Sequence, residues 1–154
     1  MDARRAAERS ASASTGLPRA ARAALGELYR RVDREVAGLG AACWIRGDCC
    51  DFEREQHVLY ASRLETAYAA EESPGPRAPA PERLCPFWQG RKCALRDRRP
   101  LGCRTHFCDR RYRAALEEIH ERYLAEIRRI SERSGIPWDY APFPQAVRRA
   151  LRET

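Results

Sequence analysis

Lysine, long apolar runs and phosphate-cradling glycine loops are nearly or wholly missing from this 154-residue chain. Lys92 is the single lysine among 29 basic residues, so arginine carries almost all of the positive charge. No apolar run approaches the roughly 18 to 20 residues that span a bilayer, and the first residues lack the apolar stretch of a secretory signal. Those two absences predict a soluble, cytoplasmic chain with no membrane partner. There is no G-x-G-x-x-G, no H-E-x-x-H helix and no Ser/His/Asp set, which leaves the nucleotide-binding and hydrolase classes without support and an enzymatic role without a motif. No internal repeat is present, so a solenoid is excluded. The paired C-x2-C steps of a simple zinc ribbon are missing too.

The apolar content of 44% supports one modest core, and the length is that of one ordinary domain. A net charge of +7 with a pI near 9.3 invites a nucleic-acid partner. The arginines are scattered over helical segments rather than gathered in a binding motif, and the abundance of Ala and Arg resembles codon bias, so nucleic acid is the weaker reading. Residues 1–16 have almost nothing large and apolar and read as a flexible arm, leaving 17–154 as a single domain.

Ala21, Leu25, Leu28, Val32, Val36 and Leu39 recur at three- and four-residue intervals and predict an amphipathic helix from Pro18 to Leu39, ended by Gly38 and Gly40. Phe52 to Glu72 reads as helical in its second half. A Pro- and Ala-rich loop follows from Ser73 to Pro81. Tyr112, Leu116, Ile119, Tyr123, Ile127 and Ile130 predict a second long helix over 110–134, stopped by Gly135 and Pro137. An aromatic linker over 138–143 leads to a last helix near 144–152. The expected fold is mainly α, a small helical domain around an irregular cysteine-rich metal-binding centre.

That centre rests on seven cysteines, Cys43, Cys49, Cys50, Cys85, Cys93, Cys103 and Cys108. In a reducing cytosol clustered thiols point to metal or redox chemistry rather than structural disulfides, and the odd count argues against complete pairing. Thiolates favour zinc, cuprous copper and iron-sulfur clusters, and a four-coordinate site needs four of them or three with a histidine. Spacing alone does not name the metal. One site with spare thiols and two sites are both arithmetically open.

The segments Cys43-x-x-Arg46-Gly47-Asp48-Cys49-Cys50 and Cys93-Ala94-Leu95-x-x-Arg98-Arg99-Pro100-Leu101-Gly102-Cys103-Arg104 resemble the CxxCxxCC family of zinc- or iron-chelating cysteine-cluster proteins, also called YkgJ-like. The resemblance covers roughly residues 42–109. It implies a metal-chelating domain of undefined biological role, some relatives of which, the flagellin lysine methylases, are linked to an iron-sulfur cluster. Carried over by position, it implies Cys43, Cys49, Cys50, Cys93 and Cys103 as ligands. Arg46 stands where the family has its second cysteine, and Cys85 and Cys108, outside the pattern, are the candidates to replace it.

Adjacent Cys49 and Cys50 point apart on an extended backbone and are not expected to serve one metal equally. Arg98, Arg99 and Arg104 are expected beside the thiolates, lowering thiol pKa and offsetting excess negative charge. His106 is expected to pack beside the site rather than bind, and His57 and His120 to lie on solvated or half-buried faces. Asp48, Asp51 and Glu53 offer oxygen ligands, though turn capping is the commoner role of such acids. Glu65 is expected in a surface ion pair, with a carboxylate facing the centre as the sharper alternative. Trp44, Trp88 and Trp138 suit core or shielding positions.

The function these features favour is a metal-binding protein holding an iron-sulfur cluster, zinc or iron. A metal-dependent modifying enzyme or accessory subunit is one alternative. A zinc-stabilised nucleic-acid or protein interaction module is the other.

Overall fold

A computed structural model of the chain describes residues 16–41, 48–71, 84–90 and 92–153. Residues 1–15 of the arm expected over 1–16, the loop over 73–81, and Cys43, Trp44 and Arg46 lie outside the described residues. Within them the protein is mainly helical, as expected.

Helix α1 (Arg19–Leu39) starts behind Pro18 and stops at Gly40, whose φ of 73° is the left-handed conformation that glycine enters without steric cost. Its stripe of Ala21, Leu25, Leu28, Val32 and Val36 is buried, together with Tyr29. The stripe meets Leu116, Ile119, Tyr123, Ile127 and Ile130 of helix α4 (Arg113–Arg133). These two helices, with Leu64 and Leu101, form the first of two cores. No described helix is long and apolar enough to cross a membrane.

The second core is smaller and less regular. Leu59, Ala61, Ala69, Cys85, Phe87, Leu95, Phe143 and Val147 are buried in it. It is organised by two short antiparallel pairs that periodicity did not predict. Strand β1 (Tyr60–Ser62) pairs with β4 (Tyr140–Pro142), with Ala61 opposite Ala141. Strand β2 (Trp88–Gln89) pairs with β3 (Lys92–Cys93), with Trp88 opposite Cys93. The first pair brings helix α2 (Arg63–Ala70) against α5 (Phe143–Arg152), and the Leu59 carbonyl accepts from the Phe143 N–H at 2.8 Å. The segment over 138–143 is thus no mere linker, because half of it is a strand. Trp138 packs on the first core and stacks on Tyr140 at 5.8 Å.

At the C-terminal end of α2, Glu71 receives a bidentate bond from Arg22, through Nε and Nη2 at 2.7 Å each, and a third from the Leu17 N–H at 2.8 Å. The Arg22 guanidinium holds the Glu71 carboxyl below its ordinary value of 4.5. A lowered folded-state pKa means the bond stabilises the fold above pH 4.5, and that contribution is lost as the pH falls through the folded value. Glu71→Gln should therefore destabilise by about 1 kcal/mol at pH 7. In urea titrations the gap between variant and parent should close on acidification. A pH-independent gap would show that ionisation of Glu71 is not what the contact uses.

Candidate metal centre

Five of the predicted ligands converge. Cys49, Cys50, Cys85, Cys93 and Cys103 line one cavity of about 230 Å3. They come from four different stretches of the chain. Residues Asp48–Cys50 form a single 3-10 turn, in which successive side chains are about 120° apart rather than opposed as in a strand. That is why Cys49 and Cys50 face the same cavity, contrary to the expectation that they diverge. The Cys85 N–H then donates to the Cys50 carbonyl at 3.0 Å, and Asp51 bridges Leu84, so the second cysteine segment is stitched to the first by its backbone. Cys93 arrives on β3. Cys103 arrives on helix α3 (Leu101–Thr105), whose first turn follows Pro100.

Cys85 therefore lines the cavity, whereas Cys108 is exposed and is not among the described residues that line it. The cavity is also bounded by Phe52, Leu59, Leu95 and Phe143, a largely apolar lining. Gly102 belongs to the same wall. A Cβ there would stand 2.5 Å from Leu59 Cδ1, so only glycine lets α3 carry Cys103 this close to β1.

The thiols raise or lower one another's pKa: Cys49 and Cys85 act on Cys50, and Cys50 and Cys93 act on Cys103. The hydrogen bond with Cys49 lowers the pKa of Cys50, but the bond with Cys85, burial and repulsion from Cys85 and Cys93 outweigh it, and the thiol is pushed up to about 12. Cys49 is raised chiefly by its bond to Cys50, and Cys103 chiefly by burial. These shifts run opposite to the expected lowering. Arg99 does pull Cys49 and Cys103 downward, but one cation does not offset desolvation and neighbouring sulfur.

Of the three expected cations only Arg99 lines the cavity. Arg98 caps α2 instead, donating from Nη1 to the carbonyls of Tyr68 and Glu71 at 2.9 and 2.7 Å. Arg104 is 4% exposed and turned inward. It bonds Asp33 at 2.6 Å, the Arg99 carbonyl at 2.8 Å and the Asp97 carbonyl, and lies 4.0 Å over the Tyr29 ring. It is a structural strut between α1 and α3. Lys92 and Arg96 join Arg99 on the wall. Among the described residues no carboxylate pairs with these three cations. Arg96 holds a φ of 37°, a conformation a non-glycine residue adopts only under constraint.

Two histidines complete the lining. His57 and His106 stack with ring centroids 4.9 Å apart and planes within 5° of parallel. His57 Nε2 lies 2.9 Å from the Cys49 carbonyl oxygen; a carbonyl only accepts, so Nε2 carries the proton. The His106 pKa is lowered by burial against the wall and then by His57. His120 is elsewhere, its Nδ1 2.9 Å from Thr105 Oγ1. Asp51 caps a turn through the Arg54 N–H, and Glu53 is exposed. The Asp48 side chain is outside the described residues. Glu65 is neither in a surface ion pair nor at the cavity. It is a buried acceptor joining α1, α2 and α3.

The donor set of five thiols and two imidazoles in a largely apolar cavity fits a soft metal by its chemistry. Among the described residues, no three Cys, His, Asp or Glu side chains are already arranged to hold an ion. No protein-family model, curated protein or solved structure matches the chain.

Proposed function

We propose that this is a metal-binding protein whose cysteine cluster chelates zinc, iron or an iron-sulfur cluster, in the manner of the YkgJ-like proteins it resembles. The convergence of Cys49, Cys50, Cys85, Cys93 and Cys103 on one cavity carries the reading. Cys49, Cys50 and Cys103, pushed up by one another and by burial, gain from a cation that takes their protons' place. Arg99, Lys92 and Arg96 offset the negative charge that several thiolates leave on such a centre. Phe52, Leu59, Leu95 and Phe143 give the cavity an apolar side. A bound zinc ion would tie the segments together, and an iron-sulfur cluster would add one-electron chemistry.

Elemental analysis of anaerobically purified protein tests this. Metal should be present at one equivalent or more, and Cys103→Ser should lose most of it while Cys108→Ser keeps the parent's content. Equal loading in both variants would refute the ligand assignment, and no metal in the parent would refute the function.

A further inference from the structure

We infer that the groove between α2 and α5 is a second binding site, one that takes a short peptide with small side chains and free amino and carboxylate ends. The groove shares no lining residue with the cysteine cavity, so the inference stands apart from the metal-binding reading.

The groove has a volume of about 700 Å3, within the range of small-ligand sites. It exists because the elements around it face one another through alanine. Ala67 and Ala70 on α2, Ala146 and Ala150 on α5, and the cross-strand pair Ala61 and Ala141 all line it. Methyl walls accept small side chains by contact and leave recognition to the few polar groups present.

One of those groups is buried. Thr66 lies on the same face of α2, one turn after Arg63, and is 5% exposed. Its Oγ1 has no hydrogen-bond partner among the described residues, not even the carbonyl one turn back that a helical threonine commonly uses. A hydroxyl taken from water without a partner destabilises the fold. A peptide N–H or carbonyl seated against α2 supplies the missing bond.

The charges along the groove call for a ligand of both signs. Arg63 and Asp139 line one part of it, held together by the Arg63 N–H, which donates to the Asp139 carbonyl at 2.8 Å. Arg149 and Glu153 line another, one turn apart at the end of α5. All four are exposed, and among the described residues none of their side chains makes an ion pair or a hydrogen bond. Glu71, the fifth charge, is already engaged by Arg22 and the Leu17 N–H. A simple anion or cation gains from one pair of these charges and is opposed by the other. A zwitterion is attracted by both, its carboxylate by a guanidinium and its ammonium by Asp139 or Glu153.

Trialanine is the probe that tests this. Titrated into the isotope-labelled full chain, it should give saturable amide shifts confined to 61–71, 135–141 and 146–153. Acetylating its amino end or amidating its carboxyl end should each weaken binding about tenfold or more. Arg149→Gln and Asp139→Asn, both at exposed positions, should weaken trialanine to a similar extent. Thr66→Val should also weaken it, while the unliganded variant stays at least as stable as the parent, because a stranded hydroxyl has gone. No saturable shift, equal binding of the blocked peptides, shifts centred on other segments, or full affinity in Thr66→Val would each overturn the site. A less stable Thr66→Val would show that the hydroxyl already has a partner, and would overturn it as well.

Discussion

On the proposed metal-binding reading, stripping the bound metal with a strong chelator should lower the thermal midpoint by about 10 °C or more and unfold one half of the molecule before the other. The two cores differ in what holds them. The α1–α4 pair buries a continuous apolar stripe from each of two 21-residue helices. The second core sits among 3-10 turns and strands of two or three residues, elements too short to be stable alone. Cross-links between the Cys49–Cys50 turn, the Cys85–Cys93 hairpin and α3 would substitute for the regular hydrogen bonding these segments lack. Structural zinc contributes about 10 kcal/mol or more to small peptides that have no other core. Here, where part of the fold stands without it, several kcal/mol is the appropriate scale. At about 2 to 4 °C per kcal/mol for a chain of this size, that gives the expected shift. Hydrogen exchange should lose protection over 84–100 first, with α1 and α4 retaining theirs. Uniform loss across both cores, or none after complete metal removal, would show that the metal does not organise the cysteine segments.

The two cores also differ in how much of each was legible in the sequence. The long helices were, almost to the residue, because a buried stripe of period 3.6 is written in the positions of Leu25, Leu28, Val32 and their counterparts in α4. The β1–β4 pair was not. Three residues hold no alternation to read, and the partners lie about eighty positions apart, so only tertiary packing joins them. The cysteine set was legible as a composition but not as a geometry. Treating Cys49 and Cys50 as strand neighbours set them apart, whereas a 3-10 turn sets them together. Nothing in the spacing separates Cys85 from Cys108. The backbone bond from Cys85 to Cys50 does.

Charge was the least legible quantity. Arg98, Arg99 and Arg104 are equivalent by adjacency to Cys103, yet their three guanidiniums serve a helix end, the cavity wall and a buried strut. A 3-10 turn and a helix turn separate residues next to each other in sequence onto different faces. His57 was passed over for a related reason. Its place beside His106 depends on contact between segments almost fifty residues apart, and no local pattern announces it.

Glu65→Ala should cost about 3 to 5 kcal/mol, the largest effect expected of any single substitution away from the cavity. Glu65 is 1% exposed, and both of its oxygens are fully engaged. Oε1 accepts from the Tyr29 hydroxyl at 3.2 Å and the Leu101 N–H at 2.8 Å. Oε2 accepts from the Ser62 N–H and hydroxyl, at 2.8 Å each, and the Ser62 Oγ accepts in return from the Glu65 N–H, closing a capping box at the start of α2. Removing the carboxylate strands these donors in a dry interior. Glu65→Gln separates shape from charge: its amide NH2 must face a backbone N–H, of Leu101 or of Ser62, whichever way it is turned, so about 1 to 3 kcal/mol should still be lost. Tyr29→Phe, which gives up only the longest of the bonds, should lose about 1 kcal/mol. Denaturant midpoints of the three variants should fall in that order. The consequence reaches the thiols, because the Leu101 N–H held by Glu65 lies in the first turn of α3, two residues before Cys103. A loosened α3 displaces that sulfur, so Glu65→Gln should also lower metal content in protein that remains folded. Parent-like stability in Glu65→Gln would show that the four donors find other partners. Parent-like metal content despite lost stability would show that Cys103 is positioned by the metal rather than by the helix that carries it.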